Sequence, residues 1–214
     1  MRIAVVGATG PTGVLVVEKL LARGHEVVAY VRRPEALAAR DRLTVVGGEL
    51  ADRPAFADAI RGCEAIVCTL GNRSMRVRNF MRVHLPLVAD AMTDAGVPRL
   101  VLMSALGGGE LPPRVTGINK MVFKWLSRRM FVDRTESEAD LNRRGINWCG
   151  VYPGFLTDKP AVASPDVVAI DELVSFKNGS IPRANVADVL VELAENLNSR
   201  GVRLAIGPAG SIKH

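Results

Sequence analysis

Apolar residues along this chain come in short unbroken runs, separated by stretches in which they recur at helical spacing. RIAVV at 2–6 is a β-branched run closed by a glycine and predicts a buried strand. Over 11–21, Val14, Leu15, Val17, Leu20 and Leu21 fall at helical spacing, and Arg23 followed by Gly24 is a C-terminal cap signature. HEVVAYVRR at 25–33 predicts a second strand stopped by Pro34, with a short helix over 35–40. LTVVGGEL at 43–50 is a third strand. RPAFADAI at 53–60 is a helix, with Pro54 near its first position and Gly62 behind it. EAIVCTLG at 64–71 is a fourth strand, 79–95 a helix ended by Gly96, and VPRLVLMSA at 97–105 a fifth strand.

The second half is less regular. GGGELPPR at 107–114 predicts a loop, and 118–144 is helical. Ile118, Met121, Val122, Trp125 and Leu126 mark one face there, Lys120 and Lys124 another, and 133–144 either continues that helix or forms a second. INWCGVYPG at 146–154 is a sixth strand that breaks at Pro153 and Gly154. Over 155–183, Pro160, Pro165, Pro182 and an Asn178–Gly179 turn predict one or two short strands and loops, forming a cap over a pocket. A last helix spans 185–197 and a last strand 202–207.

Apolar strands alternating with helices indicate an α/β fold: a Rossmann-type, doubly wound parallel sheet with helices on both faces. Right-handed crossovers leave little other choice. The length of 214 residues fits a single domain. Ligands of such sheets bind outside the carboxyl ends of the strands, where Gly7, Arg32, Gly47, Thr69 to Gly71 and Ser104 fall.

Composition narrows the class. A net charge of +6 favours anionic partners, and an anionic cofactor accounts for it as well as nucleic acid does. No nucleic-acid recognition motif is present, so no nucleic-acid partner is expected. Cys63, Cys68 and Cys149 are scattered and predict reduced, buried thiols in a cytoplasmic protein. Only His25, His84 and His214 occur, which disfavours a zinc site, and no metal is expected. The first apolar run is short and ends in glycines, unlike a signal peptide, and no stretch has the length of a membrane span.

The chemistry begins at GATGPTG, 7–13. Gly7 lets the strand turn tightly, Gly10 lets the backbone approach a pyrophosphate, and Gly13 lets the helix pack on the sheet, while Thr9, Pro11 and Thr12 complete the loop. The pyrophosphate then meets free N–H groups at a helix start. After the second strand, where NAD sites carry a carboxylate for the ribose, the sequence reads YVRRP. Arg32 and Arg33 suit a 2′-phosphate instead, so NADP(H) is the expected cofactor. Leu50 and Asp52 border the adenine, and Asp52 serves equally as a helix N-cap before Arg53 and Pro54. Thr69, Leu70, Gly71 and Asn72 pass near the riboses. Arg73 and Arg76, with Arg78 and Arg82 beyond, form either a rim for an acidic substrate or a solvated helix face. Met103 and Ser104 close the fifth strand beside the nicotinamide, with Ser104 the candidate catalytic hydroxyl. Tyr152, Pro153, Gly154 and Phe155 border the same pocket, and Phe155 either stacks on a planar substrate or packs in the core. Trp125 and Trp148 sit in apolar patterns and are expected in the core.

A tyrosine with a lysine four residues on would supply a proton to a developing alkoxide. The chain has only Tyr30 and Tyr152, neither so followed. The helix opposite Ser104 offers Lys120, Lys124, Arg134, Glu136 and Glu138, at no diagnostic spacing. A flavin or similar conjugated acceptor needs less help, because its own framework spreads the charge.

Together GATGPTG, VRRPE, TLGN, VLMSA and VYPG resemble the atypical short-chain dehydrogenase/reductases. Within them the chain is most similar to the NAD(P)H-binding group of NmrA-like proteins and biliverdin reductase B, the flavin reductase. The similarity covers most of 1–156, with an echo at 180–195. It implies that Gly7 to Gly13 bind pyrophosphate and that Arg32, with Arg33, meets the 2′-phosphate. It also implies that Thr69 to Asn72, Ser104 and Tyr152 to Phe155 line the ribose and nicotinamide. Flavin and biliverdin reductases of that group carry a histidine in or near the last segment, and this chain has none between 85 and 213. The expectation is an NADPH-dependent oxidoreductase, monomer or weak homodimer, acting on a small planar or anionic substrate. The alternative is a non-catalytic NADP(H)-sensing protein of the NmrA-like type.

Overall fold

The computed structural model describes residues 1–71, 79–106, 115–116, 128–177 and 179–213. Strands β1 (Arg2–Val6), β2 (Glu26–Val31), β3 (Leu43–Gly47), β4 (Ala65–Cys68) and β5 (Leu100–Met103) alternate with helices α1 (Pro11–Ala22), α2 (Arg53–Ile60) and α3 (Phe80–Ala95). Then follow β6 (Val115–Thr116), α4 (Arg128–Arg143), β7 (Trp148–Pro153), β8 (Phe155–Thr157), β9 (Asp166–Ala169), β10 (Ser175–Lys177) and β11 (Ser180–Pro182). Helix α5 (Arg183–Glu195), β12 (Arg203–Gly207) and β13 (Ile212–Lys213) complete the chain.

The main sheet has eight strands in the order β3-β2-β1-β4-β5-β7-β12-β9. All pairs are parallel except β12 with the edge strand β9. The order reverses between β1 and β4, which is the topological switch point where α/β sheets bind ligands. Apolar runs without alternation form the central strands because both faces are covered. On one face Val5, Val67 and Val101 meet Val16 and Leu20 of α1 and Leu190 of α5. On the other, Val6, Ile66 and Leu102 meet Phe56 of α2, Leu85 of α3 and Leu141 of α4. A smaller cluster, with Tyr152, Ile170, Phe176 and Ile212, ties the last strands to the sheet. Trp148 lies in the core as expected, and Trp125 lies outside the described residues.

Three expectations change. The helix expected over 35–40 is a single 3-10 turn, Pro34–Ala36. The segment 155–183 holds four short strands rather than one or two, and β9 joins the main sheet. Each strand there is only three or four residues long, which hides the strand period in the sequence. Helix α5 begins at Arg183, directly after Pro182, two residues before the expected start.

Candidate functional site

The register brings the ends of the parallel strands to one level. Val6 pairs with Cys68, Cys68 with Leu102, and Met103 with Val151. Gly7, Thr69, Ser104 and Tyr152 therefore stand in a row at the carboxyl edge of β1, β4, β5 and β7.

At the centre of that row, Gly7 leaves β1 with φ +86°, in the left-handed region that favours glycine. The Gly10 N–H donates to Gly7 O at 2.9 Å, and Pro11 opens α1 at once. Helix geometry leaves the Thr12 and Gly13 amides without acceptors in their own helix, so they are available to an anion. A Cβ at Gly13 would lie 2.1 Å from Gly7 O, so this helix start presses directly on the loop. The Thr69 hydroxyl, itself buried, donates to the carbonyls of Val6 and Gly7, both at 3.2 Å, and pins the loop to β4. The result is a backbone cradle that fits a dinucleotide pyrophosphate.

On the β2 side of the cradle, Arg32 and Arg33 are exposed and have no ion pair among the described residues. Leu50 is partly buried and packs against the core. Asp52 caps α2: the Ala55 N–H donates to Asp52 Oδ1 at 3.2 Å. The capping role weighed for it in the sequence is thus present. Tyr30 turns inward, stacks on Phe56 and donates to Glu49 O at 3.1 Å.

On the β5 side lies a buried polar cluster that the sequence reading did not assemble. Ser104 Oγ donates to Glu138 Oε1 at 2.5 Å, and Tyr152 Oη donates to Glu138 Oε2 at 2.8 Å. Arg134, one helical turn before Glu138, donates to Met103 O at 3.2 Å. Its Nε is buried without a partner among the described residues. Asp133 accepts from the Met81 and Arg82 amides at 2.9 and 3.0 Å and so caps α3. Burial pushes the Glu138 carboxyl above the usual range, against the pull of its two hydroxyl donors and of Arg134 and Arg203. Burial and then the Glu138 carboxylate raise the Tyr152 phenol. The Cys68 thiol beneath the cluster is pushed up to about 11 by burial.

The face of α4 turned to the sheet is therefore Asp133, Arg134, Ser137, Glu138 and Leu141, all buried. A helix with polar residues where a core stripe should be apolar was the signal available in the sequence. The spacing of Arg134 and Glu138 carries it.

Other expected site residues fall as follows. Met103, Ser104 and Pro153 are buried at the carboxyl edge, with Gly154 beside them. The Tyr152 side chain points inward to Glu138 rather than towards the open edge. Phe155 is 55 % exposed, so the core-packing alternative does not hold. Arg82 pairs with Glu136 of α4 at 2.6 Å, as a helix-face residue. Asn72, Arg73, Arg76 and Arg78 lie outside the described residues. Cys63, Cys68 and Cys149 are free and buried. No helix among the described residues is long and apolar enough to cross a membrane.

The sheet order, the switch point and the glycine cradle define a Rossmann-type dinucleotide-binding protein with an oxidoreductase-like fold. The chain belongs to the NAD(P)H-binding family, whose model matches residues 7–197. An uncharacterised chloroplastic protein of Arabidopsis thaliana is 30 % identical over 210 residues, covering 89 % of this chain and 71 % of the relative. Among solved structures, the oxidoreductase ylbE of Lactococcus lactis matches with a TM-score of 0.80 at 20 % identity, over 99 % of this chain and 93 % of that one. ChuY, an anaerobillin reductase of Escherichia coli O157:H7, matches with a TM-score of 0.78 at 22 % identity over 100 % of both chains. At such identities the likeness to the solved structures is one of fold.

Proposed function

We propose that this chain is an NADPH-dependent reductase that delivers hydride to a planar, conjugated acceptor of the flavin type. The observation that carries it is the layout of the carboxyl edge. Two exposed arginines lie on the β2 side of the glycine cradle, and a hydroxyl-bearing strand end lies two strands away on the other. Arg32 and Arg33 would hold the 2′-phosphate, and the Gly7 to Gly13 loop with the Thr12 and Gly13 amides the pyrophosphate. Thr69, Leu70 and Ser104 would line the ribose and nicotinamide end. Bound there, the dinucleotide supplies the hydride.

The acceptor class is argued from the tyrosines, the residue type that ordinarily protonates an alkoxide in such sites. Tyr30 and Tyr152 are the chain's tyrosines, and both hydroxyls are engaged inside the protein. Neither stands ready to protonate an alkoxide. A conjugated ring spreads the added charge and relaxes that need. Phe155, half-exposed where β7 ends, offers an aromatic face for such a ring.

Purified protein mixed with NADPH and FMN, riboflavin, a quinone or anaerobillin should consume the reduced nicotinamide absorbance faster than protein-free controls. Tight NADPH binding without turnover across that panel would instead favour an NADP(H)-sensing protein.

A further inference from the structure

Glu138 is 4 % exposed, and burying a carboxyl group is costly unless its oxygens are satisfied. Both are, by Ser104 and Tyr152, which come from two different strands. Each hydroxyl has one proton. An ionised Glu138 accepts from both. A protonated Glu138 must donate to one of them, and that hydroxyl then turns its own proton elsewhere. Tyr152 is 1 % exposed and enclosed by Leu106, Ile170 and Phe176, so its proton has nowhere else to go. The carboxyl proton therefore belongs on Oε1, facing Ser104. Ser104 is buried as well, at 3 % exposure, but it directly follows the last residue of β5 at the carboxyl edge, so a molecule bound there would meet its hydroxyl and not that of Tyr152: a lone pair when Glu138 is ionised, an O–H when it is protonated.

The groups facing Glu138 work in both directions. Arg134 on its own helix and Arg203 on β12 favour the carboxylate, as do the two hydroxyl donors, while burial favours the acid and outweighs them. Asp133 is held by the α3 amides and, with Cys68 and Tyr152, faces Arg134.

We propose that Glu138 stores the proton consumed in reduction and that Ser104 hands it over, an inference that rests on the hydride-transfer reading above. A two-electron acceptor gains one hydride, supplied by the reduced nicotinamide, and one proton from Ser104 Oγ. Ser104 takes the carboxyl proton from Glu138 Oε1 as its own O–H bond breaks. The carboxylate left behind is the form that accepts from both hydroxyls, and between turnovers a solvent proton binds Ser104 Oγ as the serine passes its own proton back to Glu138 Oε1. Glu138 acts through Ser104 and is a positioning residue with a proton to give. A conjugated acceptor makes a strong acid unnecessary, but the proton itself is still required.

The test is Glu138→Gln, which keeps the shape and removes the exchangeable acid. In the protein without cofactor, carbon-13 carboxyl titration should show one glutamate titrating above the ordinary range, absent in Glu138→Gln and displaced in Ser104→Ala. In turnover, wild-type kcat should fall as pH rises through that titration. Glu138→Gln should lower kcat by about 10²-fold and flatten the profile, with the NADPH Kd unchanged within about twofold. Glu138→Asp should recover part of the pH dependence. Should Glu138→Gln fail to fold, Ser104→Ala leaves the carboxyl and its Tyr152 bond in place and should lose the same limb. Wild-type turnover with an unaltered kcat and pH profile in these variants would overturn the relay and leave the reductase reading standing. A wild type with no turnover on any acceptor would remove the reading, and the relay with it.

Discussion

A methyl group on Gly13 would sit 2.1 Å from Gly7 O and 2.8 Å from its carbonyl carbon, both backbone atoms of the phosphate loop. Neither can move without disturbing the bonds from Gly10 and Thr69 to Gly7. Gly13→Ala should therefore weaken NADPH binding about tenfold, by an overpacking cost of about 1–3 kcal/mol, and lower the Tm. Fluorescence titration and thermal denaturation measure the two effects. Arg32 and Arg33 are a different kind of site, with side chains exposed and in no ion pair among the described residues. Arg32→Ala with Arg33→Ala should raise the NADPH Kd about 10- to 100-fold, the equivalent of one charged hydrogen bond, while NADH changes less than about twofold. Equal losses for both cofactors would remove the 2′-phosphate assignment. The places of these residues in the fold, a tight turn and a strand end, were legible in the sequence because such requirements are local. Glu138 was not, because its partners lie 34 and 14 residues away and meet it only once β5, β7 and α4 are packed.

Helix α3 is preceded by Asn79, whose φ of +59° is left-handed and whose side chain makes no capping bond to the helix. The cap comes from the neighbouring helix: Asp133 of α4 accepts from the Met81 and Arg82 amides. Its negative charge also faces the positive end of the helix dipole. Asp133→Ala should cost about 1–2 kcal/mol, seen as a lower urea midpoint with an unchanged slope, and Asp133→Asn should cost less. The effect belongs to a pair of elements, and no single-helix capping pattern announces it. The same limit explains the second half of the chain. Strands β1 to β5 were legible because each is a continuous apolar run, whereas β8 to β11 are only three or four residues each, too short to show a period. Their pairing is set by distant partners, as in β9 against β12.

Across the molecule, the proposed binding groups gather at the carboxyl edge of the sheet, while its amino edge is held by a separate clamp. Arg99, immediately before β5, is 3 % exposed and donates to the carbonyls of Ala194 and Asn196. Those carbonyls belong to the last turn of α5 and the residue after it, where a helix has no acceptor-side partners of its own. Helix α5 packs beside α1, so the clamp also fixes the helix whose first turn forms the phosphate cradle. His25 and Arg23 close the same edge on Glu195, both at 2.7 Å. Arg99→Met keeps most of the buried volume but leaves two carbonyls without donors. It should cost about 2–4 kcal/mol, more than an exposed ion pair would, because the lost bonds are charge-assisted and buried. Urea denaturation should show that loss, while the folded fraction binds NADPH with an unchanged Kd, since the cradle lies at the opposite ends of the strands. A Kd that weakens in step with stability would mean that α1 transmits the damage, and that the two edges of the sheet are one cooperative unit.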